Sequence, residues 1–164
     1  MNRQEALAFR EEVRPGDAAR VGEIVSSTGF FHGHEVGVAV ELVQERLRAG
    51  TASGYLFLFA ERDGLAVGYS CYGEIACTRG SYDLYWIAVH QDCRGQGFGA
   101  RLLRATEERI AAAGGRAVWV ETSGRPQYAP TREFYLRSGY AQEAVMRDFY
   151  DAGDDKVLYV KRLR

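Results

Sequence analysis

The sequence lacks the features that mark membrane, secreted or nucleic-acid-binding proteins. Its longest apolar runs, such as 55–60, are too short to cross a bilayer. Residues 1–10 are polar and charged, without the apolar centre that a secretory signal requires. The net charge is only −1, so bulk electrostatics give no support to a nucleic-acid partner. We therefore predict that the protein binds neither membranes nor nucleic acid.

Cysteine is also scarce. The three cysteines, Cys71, Cys77 and Cys93, are odd in number and lack the spacing of zinc ligands. This pattern favours reduced thiols and hence a cytoplasmic protein. Cys93 stands beside Arg94 and is a candidate reactive thiol, although no other feature of the sequence requires that role.

The rest of the composition is that of an ordinary globular protein. The chain has 164 residues, of which 46% are hydrophobic and 26% are charged. No repeat, low-complexity tract or linker divides it. This length suits one domain with a sizeable core, so we predict a single domain over residues 1–164.

Hydrophobic periodicity and turn residues predict the element order β-α-α-β-β-β-α-β-α-β-β. Asp17 is a candidate N-cap for the first helix, and Asp63-Gly64 predicts a hairpin turn. Residues 151–155 are rich in aspartate and predict a loop between the last two strands. The pattern indicates a mixed α+β layered domain with helices on both faces of a sheet. The predicted strands are 9–14, 55–61, 65–75, 82–89, 116–122, 140–149 and 156–161, and the predicted helices are 17–26, 34–49, 99–113 and 130–138.

A glycine-rich turn follows the fourth predicted strand and leads into the third predicted helix. Its glycines carry no side chain that would keep a ligand from the backbone, and the helix N-terminus gathers N–H groups at the positive end of its dipole. The turn therefore predicts a phosphate-binding site. Arg94 adds a cation there, unless it pairs with Asp92 as an ordinary surface arginine. The predicted site consists of Arg94, Gly95, Gln96, Gly97, Phe98, Gly99 and Ala100.

Two motifs resemble those of the GNAT superfamily of N-acetyltransferases. The family's first motif is a strand followed by Arg/Gln-x-x-Gly-x-Gly/Ala and a helix, which corresponds to residues 94–100. The second, Phe/Leu-Tyr-x-x-x-Gly-Phe/Tyr, reads Phe134-Tyr135-Leu-Arg-Ser-Gly139-Tyr140. The resemblance covers nearly the whole chain, and the two motifs stand in the family's order.

This resemblance implies a fold and a co-substrate. The fold is a mixed, mostly antiparallel sheet of about seven strands with helices on both faces and a splay between strands 4 and 5, where acetyl-CoA lies. By the same resemblance, the backbone of Ile87, Ala88 and Val89 holds the pantetheine arm, and the amides of residues 94–100 hold the pyrophosphate. Many members carry an asparagine seven residues before the motif tyrosine. Here that position is Tyr128. Either its hydroxyl replaces the asparagine's contact with the cofactor, or that contact is absent.

The implied activity is acetyl transfer from acetyl-CoA to a primary amine, directly within a ternary complex. The amine must be neutral to attack, and an unperturbed lysine has a pKa near 10.4, so a base matters. By resemblance to the branch that acetylates protein N-termini, Glu121 is the first candidate, although the loop that follows it is about two residues longer here. Asp83 is the second, at the offset of the catalytic glutamate in the histone-acetyltransferase branch. The alternative for each carboxylate is a non-catalytic role, as a solvated strand residue or as the partner of an arginine or a helix dipole. For Asp83 this non-catalytic interpretation is favoured.

By the same resemblance, Tyr135 is the candidate general acid for the leaving thiolate and also a candidate cofactor-binding residue. A tyrosine phenol has an unperturbed pKa of about 10 and is protonated at neutral pH. The alternative is that Phe134-Tyr135 forms only the apolar side of a short helix, and the family context favours the acid.

In this family the region between the first two helices borders the acceptor site. Phe30, Phe31 and His32 are therefore candidate substrate-binding residues, together with the aromatic Tyr85. His32 and His34 lack a matching set of ligands, so we predict no metal site.

Other functions fit the sequence less well. The glycines are not followed by the Gly-Lys-Ser/Thr of a nucleotide-binding P-loop, and the chain lacks the parallel βαβ pattern of a dinucleotide-binding fold. A catalytically silent CoA-binding regulatory module of the same fold stays open, but such a module has no need for both Glu121 and Tyr135. The acceptor is not specified by the sequence, and a homodimer stays open.

Overall fold

The computed structural model describes residues 7–163, which fall into two compact units. The first unit comprises the described part of Met1–Gly73 together with Tyr85–Arg109. The second comprises Glu74–Leu84 and the described part of Ile110–Arg164. The strand Ser81–Val89 and the helix Phe98–Ala112 each continue from one unit into the other. The single domain over residues 1–164 stays a prediction. Residues 1–6, which belong to the segment predicted to lack a secretory signal, lie outside the described residues.

The predicted order of helices and strands is confirmed. The helices are α1 (Asp17–Ser27), α2 (Gly33–Ala49), α3 (Phe98–Ala112) and α4 (Ala129–Arg137). The strands are β1 (Ala8–Arg10), β2 (Leu56–Arg62), β3 (Leu65–Glu74), β4 (Ser81–Val89), β5 (Ala117–Ser123), β6 (Ala141–Asp151) and β7 (Asp154–Arg162). Short 3₁₀ turns lie at Gly50–Ser53, Gln91–Cys93 and Pro126–Tyr128. None of the helices in the described part of the chain is long and apolar enough to span a membrane.

The strands form the predicted mixed, mostly antiparallel sheet of seven strands in the order β1-β2-β3-β4-β5-β7-β6. Its parallel pair is β4 with β5, where Ser81–Asp83 lies in register with Ala117–Trp119. The predicted splay of these two strands beyond that register stays a prediction.

The core of the first unit lies where α1 and α2 pack against β2 and β3. Both helices present an apolar stripe, and both strands are buried over most of their length, as expected for strands covered by helices. The predicted β2–β3 hairpin is confirmed at Asp63 and Gly64, which have φ angles of 52° and 78°. A two-residue turn with both φ angles positive matches the twist of the strands that it joins. The innermost side chains are Val21, Ile24, Val25, Val43, Phe59, Tyr69 and Cys71.

Three local predictions were wrong. The first strand was predicted over residues 9–14, but β1 covers only Ala8–Arg10. Asp17 is not the N-cap of α1, because Gly16 holds that position and Asp17 is the first helical residue. Its carboxylate instead accepts hydrogen bonds from the guanidinium of Arg10 and the backbone N–H of Arg14. Residues 151–155 are not a long loop, since β6 runs to Asp151 and β7 starts at Asp154. A long-range partner explains the error at residues 151–155, because Asp154 is buried and paired with Arg125.

Candidate functional site

The glycine-rich turn of the first unit lies at the N-terminus of α3, as predicted. Gly95 and Gly97 have φ angles of 73° and 74°, in the left-handed region that favours glycine. Residues 94–97 are exposed, whereas Cys93 before them and Phe98 after them are buried. Buried side chains therefore anchor the turn at both ends, and the residues between them are exposed to solvent. The first backbone N–H groups of α3 have no acceptor within the helix, so the turn offers donors to an anion.

Hydrogen bonds hold the approach to this turn. The backbone N–H of His90 donates to the carbonyl of Val67 at 2.8 Å, and that of Cys93 donates to the carbonyl of His90 at 2.9 Å. The N–H of Gln91 donates to Oγ of Ser27 at 3.1 Å. The approach is thus anchored to β3 and to the end of α1, a rigid support of the kind a preorganised binding loop needs.

Three arginines flank the turn. The guanidinium of Arg94 lies 5.6 Å from the centre of the Phe30 ring, and that of Arg101 lies 5.9 Å from the Phe98 ring. Arg62, from the end of β2, also lies 5.9 Å from the Phe98 ring. Arg62 was not predicted from the sequence, because only the fold brings the end of β2 beside the turn. The fold therefore places three guanidinium groups at or beside the turn.

The predicted pantetheine-contacting residues Ile87, Ala88 and Val89 form the last three residues of β4. Ala88 is buried, and its two neighbours are half-buried. Gly68 of β3 approaches this segment closely, because a Cβ atom built there would stand 3.0 Å from the Ala88 carbonyl oxygen. The backbone of β4 is therefore closely supported on its β3 side. The cofactor-binding role of the segment stays a prediction.

The candidate acceptor-site residues of the first unit have aromatic and cationic neighbours, and their substrate-binding role stays a prediction. Phe31 packs against Trp86 with ring centres 5.0 Å apart, whereas Phe30 lies by Arg94. His32 caps α2, and its ring stacks on that of His34 at 5.8 Å. Tyr85 is exposed and meets Tyr55 edge-on at 5.6 Å. No group of three potential metal ligands occurs within residues 7–163.

The second unit brings the two candidate bases into one electrostatic cluster. Nζ of Lys156 lies 2.6 Å from Oε2 of Glu121. Burial, followed by the negative charge of Glu121, raises the pKa of Asp83, while the positive charge of Lys156 opposes that rise. Both carboxylates were predicted from the sequence, whereas Lys156 was not.

Strand register explains the contact between Glu121 and Lys156. Glu121 of β5 lies opposite Leu158 of β7, and Ser123 lies opposite Lys156. Residues two apart on a strand share a face, so Glu121 and Lys156 are diagonal neighbours on the same face of the sheet. Asp83 of β4 lies opposite Trp119, two residues before Glu121. Cross-strand geometry therefore gathers the three charges.

A β-bulge in β6 adds an aromatic side chain to this cluster. The β6–β7 register shifts between Met146 and Asp151, and Asp148 has a φ angle of 52°. The N–H of Asp148 donates to Oδ1 of Asp155 at 2.9 Å, which pins the bulge. Phe149 is thereby placed with its ring centre 3.7 Å from Nζ of Lys156, in cation–π contact.

Tyr150, the next residue, is also part of this environment. Its ring meets that of Phe149 edge-on at 5.1 Å. Burial, and then the charge of Glu121, raise the pKa of Tyr150 to about 12. The phenol is therefore a hydrogen-bond donor at every physiological pH.

Tyr135, the candidate general acid, is buried in the second unit. Its ring packs against Phe134 and Tyr140, each at 5.4 Å, and stacks on Tyr159 at 6.3 Å. Burial raises the pKa of Tyr135 well above the ordinary value for tyrosine. The phenol therefore keeps its proton at neutral pH. The side chain also packs in the apolar interior of the second unit, as expected if Phe134-Tyr135 forms the apolar side of a short helix. The acid role stays a prediction.

Tyr128 stands at the end of the loop that connects β5 with α4. The guanidinium of Arg132 donates to the carbonyls of Ser123 and Arg125 at 2.8 and 3.0 Å, and the side chain of Arg125 in turn pairs with Asp154. These contacts fix the loop and hold Tyr128 as the N-cap residue of α4. The predicted cofactor contact of Tyr128 stays a prediction.

Comparisons with known proteins agree on one family. Residues 53–142 match the family model of the acetyltransferase (GNAT) domain. An uncharacterized N-acetyltransferase of Methanocaldococcus jannaschii is 32% identical over 109 residues. That match covers 65% of this chain and 65% of the relative, so the chain spans less than two thirds of the relative's length.

Solved structures show the same relationship. A GNAT-family protein from Desulfovibrio desulfuricans is 49% identical, with a TM-score of 0.94 over 96% of this chain and 99% of its own. The yncA protein of Salmonella typhimurium, whose structure contains its cofactor acetyl-CoA, has a TM-score of 0.73 over 97% of this chain and 95% of its own. Its 17% identity makes this a likeness of fold alone.

Proposed function

The chain belongs to the acetyltransferase (GNAT) domain family, and on this premise we propose that it transfers an acetyl group from acetyl-CoA to a primary amine. The transfer is direct, within a ternary complex of enzyme, acetyl-CoA and acceptor. The acceptor is a small molecule or a protein N-terminus, and the protein acts in the cytoplasm as a single domain.

The observation that carries this proposal is the form of the glycine-rich turn. Gly95 and Gly97 have left-handed backbones directly before α3, so main-chain N–H groups are accessible to a pyrophosphate. The arginines that flank the turn supply charge for phosphate oxygens. Residues 94–100 hold the pyrophosphate of acetyl-CoA, and the backbone of residues 87–89 and the Tyr128 side chain contact the rest of the cofactor.

Glu121 is the general base in this proposal. An amine attacks a thioester carbonyl only through its free electron pair, so an ammonium must first lose a proton. The Glu121 carboxylate is half-exposed and already accepts a hydrogen bond from an ammonium, that of Lys156. Its exposed side is accessible to an acceptor amine, from which it takes a proton directly or through water. Asp83 is half-buried and its pKa is raised, which makes it the second candidate.

Tyr135 is the general acid. As the new C–N bond forms and the C–S bond breaks, the CoA thiolate accepts a proton from the phenol. The aromatic packing around Tyr135 fixes its ring, which lowers the entropic cost of presenting the hydroxyl.

Thermal melting in the presence of CoA, acetyl-CoA, ATP or NAD tests the proposal. The two CoA compounds should raise Tm in proportion to their binding, and ATP and NAD should not. Release of CoA thiol with a panel of primary amines then tests turnover. Stabilisation by ATP without an effect of CoA would overturn the assignment. CoA binding without transfer to any amine would instead favour the silent CoA-binding module.

A further inference from the structure

Lys156 is a charged residue that the proposed reaction leaves unused. The chain has two lysines, Lys156 and Lys161, against 19 arginines. One of the two lies directly on the proposed base, because Nζ of Lys156 is 2.6 Å from Glu121. The carboxylate that would receive an acceptor amine is therefore already bound to a primary ammonium.

The surroundings of Nζ form a binding place for an ammonium. Glu121 supplies a charged hydrogen-bond acceptor. The centre of the Phe149 ring lies 3.7 Å from Nζ, in cation–π contact. A carboxylate combined with an aromatic face is the usual chemistry by which proteins recognise an alkylammonium. Because the bulge at Asp148 sets the position of Phe149, the pairing of β6 with β7 determines this arrangement.

Exposure shows from which side a second ammonium could enter. The Glu121 side chain is 52% exposed, whereas that of Lys156 is only 13% exposed. The lysine stem is thus packed within the second unit, while the carboxylate is open to solvent. An amine arriving from solvent meets the open side of Glu121.

Two ammonium groups compete for this carboxylate. Like charges a few ångströms apart repel each other, so a second ammonium binds Glu121 less favourably while Lys156 stays paired with it. The charge of Glu121 acts on the Asp83 carboxylate and on the Tyr150 phenol, which is neutral at physiological pH, and neither of these two groups is a cation. Lys156 is the cation paired with Glu121, so it competes with an incoming ammonium.

We propose that Lys156 determines acceptor specificity as an internal competitor: its ammonium occupies the subsite of Glu121 and Phe149 that receives the primary ammonium of the acceptor. An acceptor must displace Lys156, so the residue selects against simple amines that make no further contacts. This inference rests on the proposed function, because it takes Glu121 as the base.

Isothermal titration of CoA-saturated protein with n-butylamine tests this inference. The probe carries the same ammonium and four-carbon stem as lysine. Lys156→Met should bind it about tenfold or more tightly than the wild type, because the competing ammonium is absent. Lys156→Arg keeps a positive charge and should bind like the wild type. Lys156→Gln offers a second neutral variant if Lys156→Met folds poorly.

Three controls separate competition at this subsite from a general effect of charge. Lys161→Met removes the other lysine, whose Nζ donates to the Ser138 carbonyl at 2.9 Å, and should leave butylamine affinity unchanged. Glu121→Gln added to Lys156→Met should abolish the gain. The neutral probe n-butanol should show no gain in any variant.

Unchanged or weaker butylamine binding in both Lys156→Met and Lys156→Gln would overturn the inference. Acetylation of amines by the wild type, combined with that result, would overturn the inference alone and leave the proposed function standing. Tighter butylamine binding in the neutral variants without transfer to any amine would support the subsite and contradict the proposed function.

Discussion

Nε of Arg125 lies 2.8 Å from Oδ2 of Asp154, and this contact ties the loop before α4 to the start of β7. The Asp154 side chain is 4% exposed, whereas that of Arg125 is 50% exposed. The hydroxyl of Ser123 donates to the other carboxylate oxygen. The buried acid therefore organises the loop that leads to Tyr128 and Tyr135.

We expect Asp154→Ala to lower the free energy of unfolding by about 1–3 kcal/mol, because it leaves a buried hydroxyl without its acceptor and frees the loop. Urea denaturation measures the change. Glu133→Ala is the control, since Glu133 forms an exposed pair with Arg137 on α4 and should change stability by less than about 0.5 kcal/mol. Equal effects of the two variants would show that Asp154 does not organise the loop.

In the first unit, Arg10 joins β1 to both α1 and β2. Its guanidinium lies 2.8 Å from Asp17 and 2.6 Å from Glu61, and all three side chains are nearly buried. Arg10→Met leaves two buried carboxylates without a cation, so we expect a loss of about 3–5 kcal/mol in unfolding free energy. Arg14→Met, which breaks an exposed pair with Glu12, should cost less than about 1 kcal/mol. A loss below about 1 kcal/mol for Arg10→Met would contradict this role.

Asp83 should make stability depend on pH in a definite direction. Burial raises its pKa above 3.8, so the native state binds its proton more tightly than the unfolded state does. The contribution of Asp83 to stability is then highest below pH 3.8, falls as the pH rises through the raised pKa, and stays lower above it. Asp83→Asn removes this loss, so its stability relative to the wild type should increase over the same range. A difference between the two proteins that does not change with pH would refute the raised pKa.

Much of the fold was predictable from local signals. Asp63-Gly64 and the glycines at 95 and 97 require backbone conformations that few other residues adopt, so their turns are visible in the sequence. Periodic apolar positions predicted the order of the elements because each element buries one stripe or one face. Such signals need no knowledge of distant residues.

The error at residues 151–155 and the failure to predict Lys156 and Arg62 arose where distant residues decide the structure. Aspartates at 151–155 have low strand propensity, yet Asp154 is compensated by Arg125 and Ser123, which are far away in sequence. Lys156 contacts Glu121 only because the β5–β7 register makes them diagonal neighbours. Arg62 reaches the glycine-rich turn only through the packing of β2. None of these relationships leaves a local pattern.

Tyr135→Phe should lower kcat by about a hundredfold and leave acetyl-CoA affinity close to that of the wild type. The ring packing is retained in this variant, so only the proton donor is lost. Steady-state kinetics and titration with acetyl-CoA measure the two effects. Tyr159→Phe is the matched control, because Tyr159 stacks on Tyr135 without a proposed chemical role. An unchanged kcat in Tyr135→Phe would remove Tyr135 from the mechanism.

The central claim is that the glycine-rich turn binds acetyl-CoA, and Gly97 is its most sensitive position. Gly54 of the first unit has the same left-handed backbone, with a φ angle of 77° against 74° at Gly97. A Cβ atom added at either glycine would meet no other heavy atom within 4 Å. Gly54→Val therefore reproduces the strain of Gly97→Val away from the turn.

The most direct measurement is the Kd of acetyl-CoA for the wild type, Gly97→Val and Gly54→Val by isothermal titration. We predict that Gly97→Val weakens binding by about tenfold or more, since the side chain blocks N–H groups that hold the pyrophosphate. Gly54→Val should bind like the wild type. Wild-type affinity in Gly97→Val would contradict the central claim.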